Sequence, residues 1–95
     1  MIERLMRYVA TRSLSRQEHE LADLVGADLE RAGLAVHRQG NNIWCELGDT
    51  ARPRLLLNSH LDTVPPGNGW SADPWQPRRV AGRLVGLGAN DAKGQ

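Results

Sequence analysis

Apolar and charged positions alternate at helical spacing in the first ten residues. The apolar positions fall on one side of a helix, while Glu3, Arg4 and Arg7 lie between them. The members of this apolar stripe are Ile2, Leu5, Met6 and Val9. The pattern predicts a short amphipathic helix over residues 2–10.

A second helical pattern follows a break at residues 11–15. Ser15-Arg16-Gln17-Glu18 matches a capping box, in which Ser15 caps the helix and Glu18 reaches back. We therefore expect a helix that runs to about Arg31, where Gly33 supplies a stop. Its predicted apolar face consists of Leu21, Leu24, Val25, Leu29 and Ala32.

After Gly33 the pattern becomes that of strands. Residues 34–38 and 43–47 read as a hairpin around the turn residues Gly40-Asn41-Asn42, followed by a polar loop at 48–53. The continuous apolar run of residues 54–58 predicts a strand buried on both faces, which indicates a layered α/β sheet. Residues 63–77 predict a long loop, in which Trp70 and Trp75 are expected to act as hydrophobic clips. A further hairpin around Gly82 is predicted within 80–87.

Composition limits the classes of protein that remain. The chain has 95 residues, a net charge of +1 and 40% hydrophobic residues, as expected for one small soluble domain. Near-zero charge offers no field that recruits nucleic acid or an anionic membrane, and we expect neither as a partner. Its single cysteine, Cys45, excludes an internal disulfide, and no secretory signal is evident. These features predict a cytoplasmic protein.

Two polar motifs carry candidate chemistry. His60 and Asp62 follow the predicted buried strand, and because alternate residues of an extended segment share a side, they are expected to project together. Such a carboxylate orients an imidazole and leaves its second nitrogen free for a metal. The second motif, residues 86–94, presents Asp91 on a glycine-rich turn. Each motif alone is also consistent with a solvated surface, but together they match the needs of a carboxylate-bridged two-metal site.

The amino-acid sequences of these motifs resemble those of two motifs of the M20 metallopeptidase family. Residues 55–65 (LLLNSHLDTVP) are similar to its first metal-binding motif, and 86–94 (GLGANDAKG) to its second. Residues 69–75 (GWSADPW) resemble the family's intervening loop, with Trp75 in place of the usual Phe, and residues 15–33 resemble its opening helix. Leu87 and Ala92 differ from the residues that are most common at these positions of the family's second motif, and neither position is a metal ligand.

The resemblance implies roles for three residues. His60 would bind one of two divalent ions, Asp91 would bridge both, and Asp62 would orient the His60 ring as part of the catalytic machinery. The implied ions are zinc, with cobalt or manganese as substitutes. The implied fold is the N-terminal part of a zinc-peptidase-like layered α/β catalytic domain with a mixed, mostly parallel sheet.

The resemblance also implies a larger enzyme. Residues 1–95 are expected to be an incomplete N-terminal portion of the catalytic domain, because the family's general-base glutamate and further ligands lie beyond its second motif. The lid domain that usually supplies homodimer contacts is expected to be absent, and this piece alone to be inactive. The expected reaction is hydrolysis of the amide bond of an N-acyl amino acid, closest to the acetylornithine deacetylase branch. A succinyl-diaminopimelate desuccinylase, a dipeptidase and a non-catalytic α/β binding module stay open as alternatives.

Overall fold

The computed structural model describes residues 1–49 and 51–95, so the predicted loop at 48–53 is described except for its residue 50. It is a small mixed α/β structure with two helices and two separate two-stranded sheets in the described ranges. Its buried apolar side chains there are those of Val9, Leu21, Ala22 and Ala92. In these ranges no helix is long and apolar enough to cross a membrane.

The first helix, α1, spans Ile2–Ala10, as predicted. Val9 is its buried residue, whereas Ile2 stays largely exposed. A buried carboxylate joins α1 to the second helix, since Asp28 accepts a hydrogen bond from Tyr8 Oη at 2.9 Å and ion-pairs with Arg4 and Arg7 at 3.4 Å each. A polar cluster therefore supplies much of the contact between the two helices.

The second helix, α2, spans His19–Arg31 and begins later than the capping box predicted. Its N-cap residue is Glu18, which makes no side-chain cap hydrogen bond. The Glu18 carboxylate accepts hydrogen bonds from the Arg16 backbone N–H and from Asn41 Nδ2 instead. The prediction that Ser15 caps this helix is wrong, because its hydroxyl bonds to Asp62.

The end of α2 is as predicted. Gly33 has a φ of 83°, and its N–H donates to the carbonyl of Glu30 while the N–H of Leu34 donates to that of Leu29. This pair of bonds is a Schellman motif, which satisfies carbonyls that the helix leaves open. Ala32 is exposed rather than part of the apolar face, since it lies at the C-cap where the helix has already turned away.

Both predicted hairpins are confirmed. Strand β1, Val36–Gln39, pairs antiparallel with β2, Asn42–Cys45, and β3, Arg78–Val80, pairs antiparallel with β4, Arg83–Val85. The second turn contains Ala81 and Gly82 at φ of 49° and 76°, the left-handed geometry of a tight two-residue hairpin turn. This second hairpin begins at Arg78, two residues before the predicted start.

The predicted buried strand at 54–58 does not form. Leu55, Leu56 and Leu57 are 84%, 84% and 85% exposed, and no strand is assigned there. The physical reason is that no neighbouring strand in the described ranges offers its backbone to this segment. Consequently a mostly parallel sheet is not seen in the described ranges, where parallel pairing is limited to one isolated bridge between Leu14 and Thr63.

That bridge is part of a junction. It joins the stretch of chain between the two helices to the segment that carries His60. The first part of this stretch, residues 11–15, is called here the inter-helix link. Ser13 of the link is fully buried; its Oγ donates to the Leu61 carbonyl, and its own carbonyl accepts the Thr63 N–H, both at 2.8 Å. The junction fixes residues 61–63 against the helical part of the molecule, although they belong to no sheet.

Candidate metal centre

His60 and Asp62 meet as the two-residue spacing predicts. Nδ1 of His60 lies 3.0 Å from the Asp62 carbonyl oxygen and 3.1 Å from Asp62 Oδ1. An N–H at this nitrogen therefore donates to Asp62, which fixes the plane of the ring. The opposite nitrogen, Nε2, is left to face the cleft.

Asp91 reaches the same point from the glycine-rich turn, 31 positions further along the chain. Its Oδ1 lies 2.8 Å from His60 Nε2. The side chains of His60 and Asp91 are 50% and 83% exposed, so both atoms are open to solvent. The structure thus brings together all three residues that the sequence singled out.

Electrostatics in this group follow from the two carboxylates. The hydrogen bond to Asp91 raises the pKa of His60 above its usual value, and the bonds to Asp62 add to the effect. The Ser15 hydroxyl that donates to Asp62 lowers the pKa of that carboxyl, and His60 contributes in the same direction. Asp62 is therefore held as an anion beside the imidazole.

Gly88 allows the turn of Asp91 to approach the segment of His60. A Cβ at this position would lie 2.6 Å from Cγ2 of Thr63, and the residue has a φ of 76°. Both the contact and the conformation exclude a larger side chain without strain. The close approach of the two motifs therefore depends on a missing side chain.

Lys93 anchors the far end of the same turn. Its Nζ donates to the Thr11 carbonyl at 2.9 Å, and it also lies 5.8 Å from the centre of the Trp75 ring. Arg12 approaches that ring to 5.6 Å, so Trp75 has two cations within cation–π range. Burial lowers the pKa of Lys93 to about 8. The contacts described for Trp75 are thus cationic, whereas the sequence predicted a hydrophobic clip.

Trp70 differs from the prediction, since it lines the candidate cleft. The cleft has a volume of about 350 Å³, and its walls include His60, Asp91, Val64 and Trp70. Val64 is 70% and Trp70 39% exposed, so an apolar wall lies beside the polar atoms. Sequence reasoning missed this role because the Pro- and Gly-rich loop at 63–77 gives no periodicity from which to place a side chain.

His60 and Asp91 fit part of a metal-ligand set. An imidazole nitrogen and a carboxylate oxygen suit zinc, whose bonds of ~2.0–2.2 Å place two ligand atoms of a tetrahedral site ~3.3 Å apart. The observed 2.8 Å between Nε2 and Oδ1 is shorter, so the two exposed side chains must separate slightly to admit an ion. In the ranges 1–49 and 51–95, no group of three or more His, Cys, Asp or Glu side chains is arranged to hold a metal. A complete centre therefore needs ligands beyond this pair.

Comparison with known proteins agrees with this site. Residues 56–95, which include both motifs, match the model of Peptidase family M20/M25/M40. Residues 56–95 thus carry the sequence pattern of the M20 peptidase family, whose members generally depend on a pair of metal ions, typically zinc.

Its similarity to individual relatives covers a small part of their length. A succinyl-diaminopimelate desuccinylase of Xylella fastidiosa is 42% identical over 77 residues, which is 75% of this chain and 20% of that protein. The desuccinylase of Zymomonas mobilis is 33% identical over 92% of the chain and 25% of its own length. An N-acetyl-L-citrulline deacetylase of Xanthomonas campestris is 55% identical over 42 residues, 44% of the chain and 12% of the relative. The chain thus spans about a fifth to a quarter of the desuccinylases.

Proposed function

We propose that this chain supplies part of the two-metal centre of an enzyme that hydrolyses the amide bond of an N-acyl amino acid. The single observation that carries the proposal is the 2.8 Å approach of His60 Nε2 and Asp91 Oδ1 from two separate motifs. Neither a solvated surface histidine nor an aspartate on an unrelated turn requires such a contact. The match to the M20 family and relatives that are named as a deacetylase and desuccinylases support the same reaction class.

The three residues have distinct roles in this proposal. His60 would hold one ion through Nε2, Asp91 would be the carboxylate ligand common to the pair of ions, and Asp62 orients the ring through Nδ1. When bound, two divalent ions, zinc by preference, would supply polarisation of the scissile carbonyl and activation of water. Asp62 stays ionised beside the ring and keeps the Nε2 lone pair directed at the centre. The proton shuttle is assigned to a glutamate outside residues 1–95.

The surrounding fold is part of the same proposal. We assign residues 1–95 to the N-terminal portion of a layered α/β catalytic domain with a mixed, mostly parallel sheet, in which residues 54–58 would pair as a strand once the rest of the enzyme supplies its neighbours. The three exposed leucines support this assignment, because a strand that is apolar on both sides needs cover on both. The lid domain and its dimer contacts are assigned to a part of the enzyme outside this chain.

Among N-acyl amino acids, the proposed substrate is of the acetylornithine type. In the described ranges the polar residues that line the cleft are His60, Asp62, Thr63, Asn90 and Asp91, and no lysine or arginine lines it. Asp62 and Asp91 are already assigned to the ring and to the metal pair, so their charge does not select the substrate. The assignment rests instead on the sequences of residues 59–64 and 90–93, which are most like those of the acetylornithine deacetylase branch.

The test is zinc-dependent release of acyl groups by the purified enzyme that carries this chain. N-acetyl-L-ornithine, N-acetyl-L-citrulline and N-succinyl-diaminopimelate serve as parallel substrates. We expect acetylornithine to be preferred and turnover to cease in a chelator and return with zinc. His60→Ala and Asp91→Asn should each lower kcat/KM by ~100-fold or more, since each removes a proposed metal ligand.

Exposed His19 on α2 provides the matched control, and His19→Ala should retain full activity. Residues 1–95 alone should release no acetate. Activity that is indifferent to both chelator and His60→Ala would contradict the proposal and favour a non-metal function. A preference for the succinylated substrate would leave the reaction class intact and overturn the substrate assignment.

A further inference from the structure

A chain of contacts leads from the inter-helix link to the candidate centre. Ser15 Oγ donates to Asp62 Oδ2 at 2.5 Å, and Asp62 Oδ1 lies 3.1 Å from His60 Nδ1. His60 Nε2 in turn meets Asp91 Oδ1 at 2.8 Å. The two oxygens of one carboxylate thus serve two different partners, one on each side.

Ser15 limits the freedom of the Asp62 carboxylate. The side chain of Asp62 is 35% exposed. Without a partner on Oδ2 the carboxylate is free to rotate, and either of its oxygens can then hydrogen-bond to water. With Oδ2 held by Ser15, Oδ1 stays directed at Nδ1 of the ring. Removal of a direct partner of a ligating histidine, which is the position of Asp62, typically changes metal affinity ~10–100-fold, so the loss of Ser15, one step further out, should lie at the lower end of that range.

Neighbouring backbone contacts hold Ser15 itself in place. The buried Ser13 binds both Leu61 and Thr63 through the junction described above, and Leu14 bridges to Thr63. Ser15 therefore lies opposite Asp62 because the link runs beside residues 61–63. Its hydroxyl is free for this contact, since α2 begins four residues later without a side-chain cap.

We propose that Ser15 is a positioning residue of this site, which fixes the Asp62 carboxylate so that the His60 ring keeps Nε2 directed at Asp91. This inference rests on the proposed function, because the ring needs a fixed direction only where Nε2 binds an ion. It adds a residue from the helical part of the chain to a site otherwise built from two loop motifs. A purely structural role, in which Ser15 only ties down the link, is the competing explanation.

The experiment compares Ser15→Ala, Ser15→Thr and the matched control Ser71→Ala in the purified enzyme that carries this chain. Ser71 is exposed and lies outside the junction. Zinc affinity is measured by competition with a chromophoric chelator, with His60→Ala as the reference for loss of the ligand. We expect Ser15→Ala to weaken zinc binding ~10-fold, and Ser15→Thr, which keeps the hydroxyl, to stay within ~3-fold of the parent.

A second measurement needs no metal. Long-range proton–nitrogen NMR spectra of the His60 ring, recorded at one pH at which the ring is neutral, report which nitrogen carries the proton. Asp62 holds the proton on Nδ1, whereas Asp91 competes for it at Nε2. Ser15→Ala should therefore lower the ratio of the Nδ1–H to the Nε2–H form several-fold, while Ser15→Thr and Ser71→Ala leave it unchanged.

The outcomes separate the two proposals. If the parent protein binds no zinc, or if His60→Ala binds it equally well, the proposed function fails, and the tautomer ratio still decides the role of Ser15. If Ser15→Ala matches Ser71→Ala in both measurements, the positioning role is refuted. It is also refuted if Ser15→Ala binds zinc more weakly and unfolds at a lower urea concentration than the parent while its tautomer ratio is unchanged. That combination is expected of a purely structural role.

Discussion

Gly88 provides a sharp test of how the two motifs are held together. Alanine at this position adds two separate costs, a left-handed backbone conformation at a φ of 76° and a Cβ that lies 2.6 Å from Cγ2 of Thr63. The conformation costs ~1–2 kcal/mol for a residue with a side chain. Overpacking against Thr63 adds ~1–3 kcal/mol. We therefore expect Gly88→Ala to lower the free energy of unfolding by ~2–5 kcal/mol.

Two other glycines separate these costs. Gly82 has the same φ of 76° with nothing within 4 Å of its added Cβ, so Gly82→Ala carries the conformational cost alone. Gly67 has neither a positive φ nor a close neighbour, and Gly67→Ala should be neutral or stabilise by up to ~1 kcal/mol. Thr63→Ser removes the methyl group that the new Cβ meets, and in the Gly88→Ala background it should recover most of the packing cost.

Urea-induced unfolding, followed by tryptophan fluorescence, measures the stability of the parent and of these four variants. With a slope of ~1–2 kcal/mol per molar urea for a small protein, the difference between Gly88→Ala and Gly82→Ala corresponds to a midpoint shift of roughly 1 M. Coincident midpoints for these two variants would refute the close packing of Gly88 against Thr63. Failure of Thr63→Ser to restore stability would show that the added Cβ meets something else.

Two further predictions concern single hydroxyl groups. Burial and the hydrogen bond to Asp28 raise the pKa of Tyr8 from 10.0 to about 12, so its stabilising contribution is present below pH 10 and is lost as the pH rises from 10 to 12. The full contribution corresponds to at most ~2.7 kcal/mol, and we expect ~1 kcal/mol because Tyr8 is partly exposed. Tyrosinate absorbance follows it directly, since Tyr8 is the chain's single tyrosine; Tyr8→Phe should remove this loss of stability, and a titration midpoint near 10 would contradict it. Among the described residues the Oγ1 atom of Thr63 is buried without a hydrogen-bond partner, so Thr63→Val should preserve the free energy of unfolding or raise it by ~1 kcal/mol. A loss of more than ~1 kcal/mol in a urea titration would show that the hydroxyl has a partner.

Local elements were predictable from the sequence because their determinants are local. The spacing of Ile2, Leu5, Met6 and Val9 predicts the bounds of α1, and Gly33 predicts the end of α2 through a backbone conformation that glycine adopts readily. The turn residues at 40–42 and Gly82 predict both hairpins. Each of these signals acts within a few residues, so no knowledge of the remaining chain is needed.

The elements that depend on distant partners were not predictable in the same way. The apolar run at 54–58 has the composition of a buried strand, but a strand also needs a neighbour's backbone, which the described residues do not supply. At the site, the two-residue spacing predicts that His60 and Asp62 lie together. The prediction that Asp91 joins them rests on the pairing of the two motifs and on their resemblance to those of the M20 family. Ser15 was misread for a physical reason: the same hydroxyl suits a helix cap and a carboxylate partner equally well, and only the tertiary structure selects between them.

The exposed leucine run has a consequence for how the molecule behaves at high concentration. Leu55–Leu57 combine apolar side chains on both sides with a backbone that pairs with no strand of the described residues, which is the composition of an edge-to-edge aggregation template. Arg52, Pro53 and Arg54 directly precede the run, and charge and the missing N–H of proline both oppose the addition of a foreign strand. We therefore expect these three side chains, which have no part in the candidate centre, to limit self-association of the run.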